Sequence, residues 1–406
     1  MLHNSAHIKQ AFEVESDTVS VTWLPVFHDM GLTNGIVQPI FGGRQCILMS
    51  PQSFLQRPVR WLRAISRYRA TVSGGPNFAY EMCARKITPA ERSTLDLSNW
   101  KVAFNGAEPV RADTLKRFAA TFASCGFQPK FFYPCYGLAE ATLIVAGGLV
   151  LDEPILCATN VTALEHNRAV ETPGPQSNVR ELVGCGQAMQ DTEVVIVHPE
   201  SLIACADDEV GEIWVSGPSV AEGYWNRPEE TKFTFESYLS NNGEGPFLRT
   251  GDLGFLRGGE LFVTGRLKDL IIIGGRNLYP HDIELTVEQS HELIRPGGCV
   301  AFPAEVAGEE RLVIAVEVER RYRMADRSHE DSETGSHPQG RPQLDADALS
   351  RAIRRAVAEE YDVRVHAVVL LKAGTLPKTP SGKIQRRICE ARYRDGELEH
   401  CSKNEE

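Results

Sequence analysis

Apolar positions in the first 140 residues fall in short runs, each followed by a glycine or proline turn and then by helical spacing. Residues 45–49, 70–73, 101–104 and 130–132 read as strands, the last three running into G-G-P, N-G-A-E-P and Y-G-L-A-E. Pro58 opens a helix with Trp61, Leu62, Ile65 and Tyr68 on a core-facing stripe. A second helix places Leu115, Phe118, Ala119 and Phe122 on one face, with Gly126 just past its end. Residues 1–20 read as a helix and linker. This rhythm predicts an α/β domain, in which ligands collect where strands end in glycine turns and expose backbone N–H groups.

The rhythm breaks at residues 149–183, a polar stretch with little periodicity, interrupted by Pro154, Pro173, Gly174 and Pro175. It is expected to be an insertion. Strand patterns resume at 193–197, 212–216 and 260–264, with G-Y-W-N-R-P-E (223–229) and L-R-T-G-D (248–252) as turns between them, which predicts a β-rich subdomain. From about residue 269 a compact α+β module is expected. Pro280 starts a helix and 311–318 is a strand. Residues 345–361 are amphipathic, with Leu349, Ile353, Val357 and Tyr361 at four-residue steps and Asp345 as N-cap. Residues 365–371 make the last strand, and 320–343 are expected to be loop or disordered.

Composition narrows the function classes. The 406 residues are 42% hydrophobic and 24% charged, ordinary for a soluble globular chain long enough for two or three domains. A net charge of −11 argues against a nucleic-acid or anionic-membrane surface, since both need a basic footprint. No apolar run is long enough to span a bilayer, and the first residues lack the regions of a signal peptide. The ten cysteines are scattered with no C-x-x-C pair, so reduced thiols in a cytoplasm are expected, with neither a cysteine zinc site nor a disulfide framework.

The stretch with the most pointed chemistry is L-P-K-T-P-S-G-K-I-Q-R-R (376–387). Pro377, Pro380, Ser381 and Gly382 make a shaped turn that presents Lys383, suited to meeting an anion. It is not a phosphate-binding P-loop. Gly374 lies eight residues before Gly382 rather than five, and Ile384 stands where Ser or Thr is required. His28 beside Asp29 suits either an acid–base pair or a structural hydrogen bond. Glu108 and Glu140 lie in glycine turns, where surface or helix-terminal acids are also common. Gly274 and Gly275 are too isolated for a dinucleotide fingerprint.

In order, W-L-P-V-F-H-D-M-G-L (23–32), Y-G-L-A-E (136–140), G-E-I-W-V-S-G (211–217), R-T-G-D (249–252), G-R-L-K-D-L-I-I-I-G-G-R-N (265–277) and L-P-K-T-P-S-G-K-I (376–384) closely resemble the adenylate-forming, AMP-binding superfamily of acyl-activating enzymes. S-G-G-P-N-F-A-Y, V-A-F-N-G-A-E-P-V-R and Y-G-L-A-E-A-T-L look like its fatty acyl-AMP ligase branch, whose characteristic insertion matches 149–183 in position. The resemblance implies a large N-terminal α/β domain with a β-rich subdomain over 1–268, and a small C-terminal α+β lid over 269–406.

It also implies activation of a fatty acid by ATP and Mg²⁺, giving acyl-AMP and pyrophosphate. The acyl group then passes to the phosphopantetheine thiol of an acyl carrier protein or polyketide synthase carrier domain. Lys383 would be the activating cation, delivered when the small domain closes, and His28 would lie near the acyl carbonyl. Tyr136 would stack on adenine, with Gly106, Ala107, Glu108 and Gly137 around it. Asp252 would hold the ribose hydroxyls, Arg266 ribose or phosphate, and Glu140 Mg²⁺. Lys268 would be the hinge, and Ser73, Gly74 and Gly75 would line the acyl pocket. The family's Ser/Thr/Gly-rich phosphate loop should lie just upstream of L-H-N-S-A-H-I-K-Q, and the chain begins at Met1. The N-terminal domain is therefore expected to be partial, with strand edges and apolar faces uncovered. A coenzyme A ligase and an inactive remnant that only binds partners stay open as alternatives.

Overall fold

Five parallel strands carry the first half of the chain in the computed structural model, which describes residues 1–172, 178–306, 308–318, 323–324, 343–379, 383–398 and 402–405. They are β1 (Val19–Thr22), β2 (Gln45–Leu48), β3 (Val72–Gly75), β4 (Val102–Asn105) and β5 (Phe132–Gly137). The chain then turns back as the antiparallel β6 (Ile144–Gly147). An antiparallel ladder of β7 (Leu156–Asn160) and β8 (Val179–Val183) follows, and β9 (Gln187–Ala188) closes the seven-stranded sheet in the order β2-β1-β3-β4-β5-β6-β9. The core beneath is aromatic. Trp23, Phe54, Trp61, Tyr80, Trp100 and Phe118 are fully buried or nearly so, in a chain of edge-to-face and stacked rings.

Three expectations are corrected here. Gly74 and Gly75 are not a turn but the last residues of β3, because a Cβ on Gly74 would stand 2.1 Å from the Phe104 carbonyl oxygen of the neighbouring strand. The strand expected over 130–132 begins only at Phe132. Pro129–Phe131 is a 3₁₀ turn, and β5 starts after it. Tyr68 leaves the helical stripe at the end of Val59–Tyr68 and is exposed, while Trp61, Leu62 and Ile65 face the core as expected.

Residues 149–183 are also more regular than their composition suggests. Cys157 and Thr159 alternate inward along β7, a period-2 pattern masked because Leu156 is exposed and the polar Thr159 is buried. Residues 173–177 of that stretch lie outside the described residues.

The β-rich part is an antiparallel sheet of β10 (Glu193–Val197), β11 (Gly211–Ser216), β12 (Leu248–Arg257) and β13 (Glu260–Arg266). L-R-T-G-D, expected as a turn, is the first half of β12. A register shift opposite Glu212 and Trp214 admits Gly251 at φ +70° without ending the strand.

Two compact units divide the chain at Leu267/Lys268. The second holds the hairpin β14 (Ile271–Ile273) and β15 (Arg276–Leu278), closed by Gly274 and Gly275 at φ +60° and +75°, the left-handed pair that a two-residue hairpin turn needs. Then come β16 (Ile294–Val306), β17 (Glu309–Val318) and the two-residue ladder of β18 (Arg323–Met324) with β19 (Gln343–Leu344). Apart from these short strands, the stretch expected to be disordered lies outside the described residues. β20 (Val365–Lys372) and β21 (Ser402–Glu405) complete a sheet in the order β16-β17-β20-β21. Both faces of this sheet are buried. Leu312, Ile314 and Val316 pack with the helices Pro280–Ser290 and Ala346–Tyr361, while Val313 and Ala315 pack with Leu376 and Cys389 on the other side. That is why β17 reads as a continuous apolar run. Asp345 caps its helix as expected, accepting from the Ala348 N–H at 2.8 Å.

In the first unit β2 is the outer strand, and apolar side chains remain exposed around it. Ile40 is 78% exposed, Phe27 75% and Leu48 55%. Just before β2 the Arg44 guanidinium is buried, and none of its nitrogens has an acceptor among the described residues. An unpaired edge beside exposed apolar groups favours self-association. Ile40→Lys with Leu48→Lys is expected to reduce concentration-dependent association in light scattering by severalfold. Unchanged scattering would place the association elsewhere.

Candidate functional site

In an open parallel sheet, ligands sit beyond the carboxyl ends of the strands, where the strand order changes direction. The order β2-β1-β3-β4-β5 puts that switch between β1 and β3. His28 follows β1, Ser73, Gly74 and Gly75 end β3, Gly106, Ala107 and Glu108 follow β4, and Tyr136 and Gly137 end β5. All nine lie at or beyond the same rim of the sheet.

The R-T-G-D run is shaped by its first three residues and presents the fourth. Buried Glu212 on β11 receives Arg249 through Nε at 3.0 Å and Nη2 at 2.7 Å, the Gly251 N–H at 3.1 Å, and the Trp214 indole N–H at 3.0 Å. Thr250 donates its hydroxyl to the Ile213 carbonyl at 2.7 Å and accepts the Asp252 N–H at 3.1 Å. Asp252 then receives the Tyr136 hydroxyl on one oxygen at 2.9 Å and Arg266 Nε on the other at 2.8 Å. Three strands, β5, β12 and β13, thus converge on one carboxylate, which keeps lone pairs for further donors. Burial, and then the Asp252 charge, push the Tyr136 phenol well above its ordinary pKa, so it stays a donor. The Tyr136 ring is itself buried, 8% exposed.

After β5 the backbone turns sharply. A Cβ on Gly137 would sit 1.7 Å from the Leu143 carbonyl oxygen, so only glycine fits. Thr142 is held at φ +70°, ψ −62°, rare for a β-branched residue, by its hydroxyl on the Ser219 carbonyl (2.7 Å) and a tight Leu143 N–H to Ala141 carbonyl bond. This turn carries half-buried Glu140, whose Oε1 accepts the Tyr224 hydroxyl at 2.8 Å. Burial, then Glu140, raise the Tyr224 phenol to about 12. A single rim carboxylate fits Mg²⁺, which keeps most of its water and phosphate ligands.

Ala107 is also left-handed, at φ +69°. Glu108 accepts the Phe78 N–H at 2.6 Å and so caps the helix Asn77–Lys86. His28 caps the short helix Asp29–Leu32, its Nδ1 lying 2.5 Å from the Asp29 carboxylate. Ser73 is buried between the Trp61 indole N–H, which it accepts at 2.8 Å, and the Val21 carbonyl, to which it donates at 2.6 Å.

Lys268 and Lys383 belong to the second unit. Lys268 is exposed. The lysine loop is closed at its base by the Lys378–Ile384 bridge, with the Thr379 N–H on the Lys383 carbonyl at 2.8 Å and the Lys383 N–H on the Thr379 hydroxyl at 3.1 Å. Pro380, Ser381 and Gly382 lie outside the described residues. Fully buried Glu317 fixes the approach, accepting the N–H groups of Gly374 (2.8 Å) and Leu376 (3.0 Å) and pairing with Arg295 at 2.9 Å. Arg386 fixes the exit, reaching Asp269 (2.9 Å), Glu284 (2.6 Å) and the Ala301 carbonyl (2.9 Å).

Glu212, Tyr224, Glu317 and Arg386 were not singled out from the sequence. The available signal was a charged residue inside an apolar strand for Glu212 and Glu317, and an arginine within the lysine stretch itself for Arg386.

Residues 1–225 match the family described as AMP-binding enzyme. The chain is 49% identical to the medium-chain-fatty-acid–[acyl-carrier-protein] ligase JamA of Moorena producens, over 98% of this chain and 65% of that protein. It is 38% identical to the medium-chain-fatty-acid–[acyl-carrier-protein] ligase TtuA of Teredinibacter turnerae, over 97% of this chain and 59% of that protein. A crystal structure of a fatty acyl-adenylate ligase from L. pneumophila, in complex with acyl adenylate and pyrophosphate, superposes with a TM-score of 0.66 at 41% identity, over 100% of this chain and 67% of that one. The chain thus spans 59–65% of the length of these two curated relatives.

Proposed function

Because this chain belongs to the AMP-binding enzyme family, we propose that it activates a fatty acid as its acyl-adenylate and passes the acyl group to a carrier-protein thiol. The observation that carries this reading is the Asp252 carboxylate, held between Tyr136 and Arg266 beside the rim of the parallel sheet, in a chain 49% identical to a fatty-acid ligase. In the first half-reaction a carboxylate oxygen bonds to the α-phosphorus of ATP and the bond to the pyrophosphate oxygen breaks. In the second a thiolate attacks the acyl carbonyl and AMP leaves.

Asp252 accepts the ribose hydroxyls on its remaining lone pairs, and Arg266 adds a fixed positive charge there. Tyr136 holds the Asp252 carboxylate in place through its hydroxyl, and its ring borders the adenine position together with Gly106, Ala107, Glu108 and Gly137. His28 positions the acyl carboxylate. Ser73, Gly74 and Gly75, at the end of β3, border the acyl position, with Ser73 as a structural hydrogen bonder. Glu140 holds Mg²⁺, which when bound neutralises phosphate charge. Lys383 supplies the cation for the reacting centre, and Lys268 is the hinge of the second unit. Two carrier-protein ligases among the relatives favour a carrier thiol over coenzyme A. The setting proposed is the cytoplasm, and no described helix is long and apolar enough to cross a membrane.

The test is ATP, Mg²⁺ and a medium-chain fatty acid with the purified chain, scoring adenylate, then acyl transfer to a phosphopantetheinylated carrier protein or to coenzyme A. Adenylate formation and carrier loading are expected. Asp252→Asn keeps the shape and is expected to raise the KM for ATP roughly 10- to 100-fold, the scale of a lost charged hydrogen bond. Acyl-CoA as the main product would replace the acceptor assignment. Folded protein that forms no adenylate would overturn the reading.

A further inference from the structure

Three side chains that the acyl chemistry does not use meet on the first unit. His3 and His7 stand one turn apart on the helix Leu2–Ala11, so both rings leave the same face. Their Nε2 atoms are 2.9 Å apart, and the rings meet edge to face with centroids 4.2 Å apart. Asp191, in the turn between β9 and β10, completes the group, and one ligand atom from each residue lies within 4.8 Å of the others. We propose that His3, His7 and Asp191 bind a divalent transition metal of the zinc type.

The donor set argues for this class. Two imidazoles and a carboxylate suit zinc and its neighbours, whereas Mg²⁺ prefers oxygen alone. Two nitrogens on one tetrahedral zinc, each at about 2.0–2.1 Å, stand roughly 3.3–3.4 Å apart. The pair therefore has to open by only about half an ångström, and Asp191 is exposed. The second ring nitrogen of a metal-bound histidine is normally hydrogen-bonded, which fixes ring and tautomer. His3 meets that condition, with Nδ1 2.8 Å from the Ser219 hydroxyl.

The helix is also anchored. Asn4 donates to the Ile144 carbonyl at 2.8 Å, accepts the Ile144 N–H at 3.2 Å, and donates to the same Ser219 hydroxyl at 3.2 Å. The ion would staple the first helix to a turn far along the chain. It would also brace Ser219, whose carbonyl restrains strained Thr142 beside Glu140.

Chelator-stripped full chain is titrated with Zn²⁺ by calorimetry and with Co²⁺ by visible absorption. One ion per chain is expected, with four-coordinate cobalt bands and no thiolate charge-transfer band. His3→Ala and Asp191→Asn, both away from the buried core, are each expected to weaken binding at least about 10-fold, and Ser219→Ala by roughly 10-fold through lost orientation. The melting temperature rises with Zn²⁺ in the parent chain and not in His3→Ala. Binding no tighter than millimolar, binding insensitive to these substitutions, or a thiolate band that puts the ion on cysteines would each overturn the assignment.

Discussion

Lys383→Ala is expected to cut acyl-adenylate formation roughly 10³-fold, with the melting temperature nearly unchanged. The proposed step brings a carboxylate against a phosphate, two anions that repel at bonding distance. A lysine about 4 Å from one unit charge contributes about 4 kcal/mol at the effective dielectric of a protein surface, equivalent to roughly 10³ in rate. Fold should survive because the 378–384 bridge and the paired bonds with Thr379 use the main chain of residue 383, which the substitution keeps. Single-turnover formation of radiolabelled acyl-AMP, compared with thermal unfolding, separates the two effects. More than a tenth of parent activity in the variant would remove Lys383 from the reacting centre.

Arg386→Ala is expected to destabilise the second unit by about 3–5 kcal/mol, the usual cost of stranding a buried charge. Glu284 is buried and would be left with His281 and the Ala301 N–H as its nearest compensation. Burial alone would push the Glu284 carboxyl up. Arg386 first, then His281 and Ala301, outweigh that and hold it at about 2. The sign follows from the depressed value. In the unfolded chain the carboxyl titrates near 4.3, so its contribution is complete above that pH and fades as pH falls towards 2, worth about 3 kcal/mol in all. The parent chain should therefore lose stability between about pH 4.5 and 2 more steeply than Arg386→Met, which no longer has the pair to lose. Urea unfolding of the second unit across that range, followed by hydrogen exchange, tests both statements. An Arg386→Ala chain as stable as the parent at pH 7 would show that the pair is compensated elsewhere.

What the sequence reveals here follows from how local each determinant is. The helix after Asp345 is legible to the residue, because cap, four-residue apolar steps and end all lie within one segment. Asp252 and Glu140 could be named as candidates from the run of motifs around them. The long-range pairings that hold charged groups in place could not. Tyr224 meets Glu140 across 84 positions, Arg249 meets Glu212 across 37, and Arg386 meets Asp269 across 117. The strand through 248–252 looked like a turn for the same reason: Gly251 and a short polar run break the local pattern, while Glu212 on the neighbouring strand supplies what keeps it extended. Gly74 and Gly75 misled in the opposite sense, since their lack of a side chain serves close packing of strands rather than a change of direction.

The two flanks of the lysine loop are held by residues outside it, which bears on protein engineering. Glu317 sets where the loop begins and Arg386, through Asp269 and Glu284, sets where it ends. Grafting residues 376–384 alone onto another scaffold would leave both of these flanking anchors behind. The smallest transplantable cassette is the loop with Glu317, Asp269, Glu284 and Arg386, carried on their strand and helix.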